Sequence, residues 1–184
     1  MYIAVFNLKK GHRAILKQLF FILSLIAGSL KLEAYAWTDV ALNHVIGNAS
    51  KASGVPKDLL YAIMKVESSV WPWTIHHDGQ AYYFDTQRET VEFIENAERE
   101  GLQGLNIGLM QIYWPTHKSK IRSIEEIVDP EKNLLFAAKI LSNLKKELGS
   151  WEKAVKAYHS RIPVHGNRYK KRVEAHLGKP LTSI

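Results

Sequence analysis

One glutamate near the middle of the chain is a candidate acid or base. Glu67 follows Leu60 by seven residues and Ile63 by four, so a helix over residues 55–69 places its carboxyl on the apolar stripe. Burial and the negative end of the helix dipole both favour the protonated carboxyl. A carboxyl that keeps its proton near neutral pH can act as a general acid. The alternative is a partly exposed glutamate beside Trp71, so position alone leaves both interpretations open.

A glycosidase that uses two carboxylates would need a second acid facing Glu67 across the scissile bond. The acids available for that role are Asp78, Asp85, Glu125 and Glu126. Asp78 precedes a glycine and is better explained by a tight turn, and Asp85 by loop chemistry. The sequence therefore offers no second acid in a convincing context.

Other chemistries find little support in the sequence. The chain has no cysteine, which excludes disulfides and thiol catalysis. His76 and His77 are adjacent and would point to opposite faces of a strand, and no HExxH occurs, so we expect no metal site. Gly-x-Ser-x-Gly is absent, and the glycine-rich stretch 101–112 lacks the lysine of a phosphate loop. We expect no cofactor.

The elements that would position Glu67 are mostly helical. The sequence predicts helices over residues 38–52, 55–69, 86–100 and 130–148, one after Ser150 that carries Tyr158, and a last one over 168–177. Asp78-Gly79 predicts a small β-hairpin over 74–84. Residues 101–112 and 161–167 are predicted as loops because of their glycines and Pro163. We therefore expect a mainly α (α+β) domain with one small β-hairpin insertion.

The N-terminal segment has the order of a secretory signal peptide. A basic region is followed by the apolar run 19–30 and by Ala34-Tyr35-Ala36, a small-x-small cleavage site. We expect a signal peptide over 1–36 and one exported domain over 37–184. The apolar run is short for a membrane span, so contact with a membrane is expected only if the segment is not cleaved.

Most of the positive charge belongs to that segment. The whole chain has 25 basic and 18 acidic residues, a net charge of +7, and residues 1–36 hold five of the basic residues and one of the acidic ones. The remaining 20 basic and 17 acidic residues give +3. A nucleic-acid partner therefore loses its main support, whereas a mild positive charge suits an anionic wall polymer.

Three short motifs in order resemble the lytic transglycosylase family with the soluble-transglycosylase (SLT), lysozyme-like domain. They are Glu67-Ser68, the stretch 108–112 (GLMQI) and Ala157-Tyr158. The stretch 129–134, with Asp-Pro followed by Asn-Leu, is similar to the family's segment between the last two motifs. The resemblance covers most of residues 38–176 and implies a lysozyme-like fold.

The resemblance also implies an activity and roles for individual residues. Glu67 matches the family's single catalytic acid/base, Gln111 a residue that hydrogen-bonds sugar, and Tyr158 a tyrosine whose hydroxyl points toward that glutamate. The remaining expected substrate-binding residues are Ser68, Gly108, Met110 and Tyr113. The family cuts the β-1,4 bond between N-acetylmuramic acid and N-acetylglucosamine of peptidoglycan, and the muramyl 6-hydroxyl attacks instead of water. The product carries a 1,6-anhydro end.

Two departures from the family pattern keep alternatives open. His159-Ser160-Arg161 follow the third motif, where the family usually has asparagine, a small residue and glycine. Residues 73–100 insert a hairpin and helix similar to those of members associated with secretion or conjugation machines, which are therefore possible partners. The alternatives are a hydrolase similar to goose-type lysozyme and a non-catalytic wall-binding scaffold component.

Overall fold

The computed structural model describes residues 42–184 of the chain. The expected signal peptide over 1–36 and the start of the first predicted helix at Thr38 lie outside these residues. Asn43–Ile184 form one compact unit. Within the described range, every helix is too short or too polar to cross a membrane.

Helices account for most of the described residues, as the sequence predicts. They are α1 (Leu42–Ser53), α2 (Lys57–Ser68), α3 (Gln87–Arg99), α4 (Trp114–His117), α5 (Ile124–Val128), α6 (Pro130–Leu148), α7 (Trp151–His159) and α8 (Pro163–Leu177). Two 3₁₀ turns, Lys118–Lys120 and Leu181–Ser183, complete the helical content of this range. The mainly helical fold class is confirmed.

The helix ends follow the local signals in the sequence. Thr86 caps α3 and forms a capping box with Glu89. The Asp129 side chain accepts the Lys132 N–H at the start of α6. Gly149 ends that helix in the left-handed region, with φ 87°.

The sheet is larger than the sequence predicts. The expected hairpin is present as β1 (Thr74–His77) and β2 (Gln80–Tyr83), and its turn has φ 48° at Asp78 and 77° at Gly79. However, β3 (Asn106–Ile107) and β4 (Ile112–Tyr113) extend it to an antiparallel sheet in the order β2-β1-β3-β4. The loop prediction over 101–112 is wrong for these two strands, because two-residue strands pair through their backbones and are too short to show alternation.

The prediction of a loop over 161–167 is also wrong, because α8 begins at Pro163. A proline fits the first position of a helix, where its missing N–H has no partner to lose. Gly166 lies inside α8 at a point where a side chain would be crowded. An added Cβ would lie 3.0 Å from the Ser160 carbonyl oxygen and 3.1 Å from the Lys156 Cβ. The glycine therefore permits close packing of α8 on the end of α7.

The core lies where α2, α7 and α8 meet. On α2, Leu60, Ile63 and Met64 are fully buried, as the apolar stripe predicts. This helix packs against α8, and α8 packs against α7. Tyr169 and Val173 are the large buried side chains of α8, and they lie one turn apart. The last turn of α2 thus lies beside the middle of α8.

Candidate active site

Glu67 lies in the last turn of α2, which ends at Ser68. The helix ends one residue before the predicted boundary at 69, because Ser69 and Val70 adopt positive φ of 55° and 69°. Both N–H groups donate to the Met64 carbonyl. A β-branched residue in the left-handed region costs conformational free energy, and such strain is concentrated at functional sites.

The Glu67 carboxyl is half-buried and holds its proton more tightly than an ordinary glutamate does. Burial raises its pKa from 4.5 to about 7, and two weaker effects oppose that rise. The Tyr169 hydroxyl donates a hydrogen bond to Oε1, and the positive charge of Arg172 lies nearby. The Arg172 guanidinium donates to the Val66 carbonyl at 3.1 Å, at the carboxyl end of α2. This arrangement can both release and recover a proton near pH 7.

Tyr158 lies near Glu67, but its hydroxyl has another partner. It donates to the Met110 carbonyl at 2.7 Å. Burial and the charge of Glu67 raise the pKa of Tyr158 well above its usual value, so the hydroxyl stays protonated. The tyrosine that donates to Glu67 is Tyr169, which the sequence analysis missed. Its spacing of four residues from Val173 was the signal that could have placed it on the buried face of α8.

The turn between β3 and β4 is held by Asn133, which is fully buried on α6. Its Nδ2 donates to the carbonyls of Ile107 and Ile127 at 2.9 Å, and its Oδ1 accepts the Met110 N–H at 2.9 Å. Gly108 has φ 79°, and a Cβ there would lie 2.4 Å from the Asn133 Nδ2. Backbone conformation and lack of space therefore both require glycine at position 108.

Two further motif residues connect this turn to its surroundings. The Ser68 hydroxyl donates to the Leu109 carbonyl at 2.9 Å, which ties the Glu67 helix to the turn. Gln111 has φ 48°, and its Nε2 donates to the carbonyls of Gly108 at 2.8 Å and Thr74 at 3.2 Å. Its Oε1 is buried and has no hydrogen-bond partner among the described residues. That oxygen is an acceptor that a ligand could satisfy.

The structure thus brings six of the seven expected site residues into one connected group. Tyr113 is the exception: it lies on β4 opposite Asn106 and is 45% exposed. An exposed aromatic ring next to such a group can pack against a sugar.

Comparison with known families decides the identity. Residues 44–179 match the family described as the transglycosylase SLT domain. The chain belongs to this family. It is a peptidoglycan lytic transglycosylase, a lyase that acts on polysaccharides, and its substrate is peptidoglycan. Proteins with this domain generally act in the periplasm or cell envelope. No curated protein and no solved structure matches the chain significantly.

The structure of this transglycosylase places the other candidate acids in turns and at helix starts. Asp78 occupies the hairpin turn, and Asp85 donates its backbone N–H to the Glu89 carboxylate. Glu126 accepts the Arg122 N–H at 2.8 Å, in the first turn of α5. Glu125 lies in the same first turn. The charge that lowers the pKa of Glu67 is that of Arg172.

Proposed function

We propose that this transglycosylase cuts the β-1,4 bond between N-acetylmuramic acid and N-acetylglucosamine without water, with Glu67 as the sole acid and base. The observation that carries the proposal is a half-buried carboxyl with a pKa of about 7 that accepts a hydrogen bond from the Tyr169 hydroxyl. Such a carboxyl can give a proton and take it back near neutral pH. A hydrolase that activates water with a second carboxylate would need a partner acid, whereas an intramolecular nucleophile makes that partner unnecessary.

One carboxyl is enough for both proton transfers of the reaction. Glu67 gives its proton to the glycosidic oxygen, and the bond from that oxygen to the anomeric carbon breaks. The acetamido oxygen of the muramyl residue can assist at the anomeric carbon. The Glu67 carboxylate then takes the proton of the 6-hydroxyl, whose oxygen bonds to the anomeric carbon. The products are a free N-acetylglucosamine end and a 1,6-anhydromuramyl end, and Glu67 is again protonated.

The surroundings of Glu67 suit both steps. Burial favours the protonated form that the first step requires. Tyr169 and Arg172 both favour the carboxylate that the first step leaves behind. The raised pKa is the balance of these effects, and it lies close to neutral pH. A group with such a pKa serves as acid and as base with similar efficiency.

The turn between β3 and β4 supports a sugar-binding role. We assign Gln111 as the acceptor for a sugar hydroxyl or amide, because its buried Oε1 lacks a partner among the described residues. Tyr113 offers an exposed ring two residues further on. Gly108, Met110 and Tyr158 hold the backbone of the turn, and Ser68 fixes it to the Glu67 helix.

The setting of the reaction is a separate proposal. The signal sequence over 1–36 supports export to the periplasm or cell envelope, and cleavage should leave a chain that begins near Trp37. The hairpin and α3 form a compact addition in which Tyr82 and Phe84 pack against Phe93. The likeness of this addition to the insertion of members associated with secretion or conjugation machines supports a role beside such an envelope-spanning machine.

Digestion of purified sacculi tests the reaction. We expect mass spectrometry to find muropeptides with 1,6-anhydromuramyl ends, lighter by one water than the hydrolysis product. The Glu67→Gln variant is the matched control and should release neither. Reducing muramyl ends would instead indicate a hydrolase similar to goose-type lysozyme. Binding to sacculi without any cleavage would indicate a scaffold component.

A further inference from the structure

His159 occupies the position where the family usually has asparagine, and the structure gives it a specific neighbour. It is the last residue of α7, and its imidazole stacks on the ring of Tyr169. The two ring centroids lie 4.5 Å apart, and the planes are within 3° of parallel. Tyr169 in turn donates its hydroxyl to Glu67. A short chain of contacts therefore runs from His159 to the carboxyl.

The two stacked rings differ in their exposure. His159 is exposed, whereas Tyr169 is only 2% exposed although it lies directly beneath. The imidazole thus covers a face of the tyrosine ring that would otherwise meet water. Asparagine has no flat ring of this size and would leave part of that face open.

We infer that His159 is a positioning residue whose ring excludes water from the Tyr169–Glu67 hydrogen bond, an inference that rests on the proposed role of Glu67. The ring acts as a neutral cover. Burial, the charge of Arg172 and that of His165 all lower the pKa of His159. A neutral imidazole adds no charge that would favour the Glu67 carboxylate.

Several groups besides His159 act on the Glu67 carboxyl. Glu67 is faced by Tyr158 from α7 and by Tyr169 and Arg172 from α8. Desolvation is the largest effect on its pKa and raises it, whereas the hydrogen bond from Tyr169 lowers it. Water admitted beside Tyr169 should therefore move the pKa of Glu67 down toward its usual value. Loss of the hydrogen bond alone should move it up, so the sign of the shift identifies the role of His159.

The test compares variants that remove or keep the ring. His159→Ala and His159→Asn remove it, and His159→Phe keeps a flat ring without titratable nitrogens. His165→Ala is the control for the loss of a nearby histidine. For each variant, the Glu67 carboxyl is titrated by carbon-13 NMR, and the rate of muropeptide release is measured as a function of pH. Thermal melting accompanies each measurement.

In both variants that lack the ring, we expect the Glu67 titration and the alkaline limb of the rate profile to move to lower pH. On that limb the rate should fall roughly tenfold for each pH unit of the shift, because the protonated fraction falls by that factor. His159→Phe and His165→Ala should behave like the wild type. Substrate KM should change less than the rate on the alkaline limb, since the ring stacks on Tyr169 and acts through Glu67.

Three results would overturn the inference: an unchanged titration in both ring-free variants, an upward shift, or a His159→Phe protein that behaves like His159→Ala. The NMR titration does not depend on turnover. Release of reducing ends by the wild type would therefore contradict the proposed non-hydrolytic reaction. A downward shift of the Glu67 titration in the ring-free variants would still support the role of His159 as a cover. A downward shift of the Glu67 titration with an unmoved rate profile would support the cover and contradict the proposed role of Glu67 as the acid.

Discussion

Glu67 and Glu98 have similar partners, yet their pKa values move in opposite directions. Glu67 accepts a hydrogen bond from Tyr169 and has Arg172 nearby, and its pKa nevertheless rises to about 7. The Arg172 guanidinium is hydrogen-bonded to the Val66 carbonyl and affects Glu67 only through its charge. Desolvation therefore dominates at this site.

Glu98 also accepts a hydrogen bond from an aromatic side chain, the Trp114 Nε1 at 2.8 Å. However, the Lys118 ammonium bonds directly to its carboxylate, and the Glu98 side chain is 29% exposed. The two hydrogen bonds lower its pKa, and burial opposes them only weakly. The comparison shows that a glutamate of this protein keeps its proton where it is withdrawn from water without a direct ion pair.

The largest difference between the two glutamates should appear in catalysis. We expect Glu67→Gln to lower muropeptide release from sacculi by a factor of roughly 10² to 10⁴ or more, because the amide can neither give nor take the proton. Glu98→Gln should retain nearly full activity under the same conditions. Near-normal release by the Glu67 variant would show that another group carries the reaction.

The buried turn near Glu67 should be more sensitive than the surface near Glu98. Asn133→Ala removes the side chain that bonds the Met110 N–H and two carbonyls inside the core, and we expect it to cost about 3–5 kcal/mol of stability. Lys118→Ala removes a partly exposed ion pair and should cost no more than about 1 kcal/mol. Urea unfolding of both variants measures the difference, and equal losses would contradict it.

The two glutamates should also give stability opposite dependences on pH. The folded protein binds the Glu67 proton more tightly than the unfolded chain does, so this residue lowers stability as pH rises from 4.5 to about 7. The whole effect amounts to roughly 3 kcal/mol. Glu98 has a lowered pKa, so its stabilising effect is present above its usual pKa and is lost as pH falls through the lowered value.

Glu67→Gln should therefore stabilise the protein against urea at pH 8 and have little effect at pH 4. Glu98→Gln should destabilise it at pH 8, by a smaller amount because the carboxylate is partly exposed. Equal effects of the Glu67 substitution at both pH values would mean that its carboxyl titrates normally.

Tyr158→Phe should have only a small effect on stability. It removes the hydrogen bond to the Met110 carbonyl and leaves the ring in place, at a cost of about 1 kcal/mol. We expect the loss of turnover, expressed as a free energy, to exceed this loss of stability, because the hydroxyl holds the turn that carries Gln111. Thermal melting and turnover measured on the same variant show whether the hydroxyl contributes more to activity than to stability. A variant that is less stable but fully active would make Tyr158 a packing residue only.

The sequence predicts the Glu67 region well because its signals are local. Helical spacing places Glu67 on the buried stripe of α2, and Asp78-Gly79 and the Thr86 capping box define the hairpin and α3. The order of three short motifs was enough to indicate the family that residues 44–179 match.

The remaining features depend on contacts that local patterns do not record. The strands β3 and β4 are recognisable only by their backbone pairing. Gly166 permits close packing of two helices, although a glycine in a sequence usually suggests a loop. Tyr169 is 102 positions from Glu67 in the sequence and meets it only because α8 packs on α2. A buried aromatic residue gives no indication of which carboxyl its hydroxyl will reach.

Titration of both glutamates in one protein decides whether burial raises the pKa of Glu67 enough for it to act as the acid. Carbon-13 NMR of protein labelled at the glutamate carboxyl carbons follows Glu67 and Glu98 in the same spectra, with Glu67→Gln and Glu98→Gln used for assignment. The account predicts that Glu67 titrates near pH 7 and Glu98 below its usual pKa. A Glu67 that titrates near 4.5 would contradict it, because the residue would then be ionised when the leaving oxygen needs its proton.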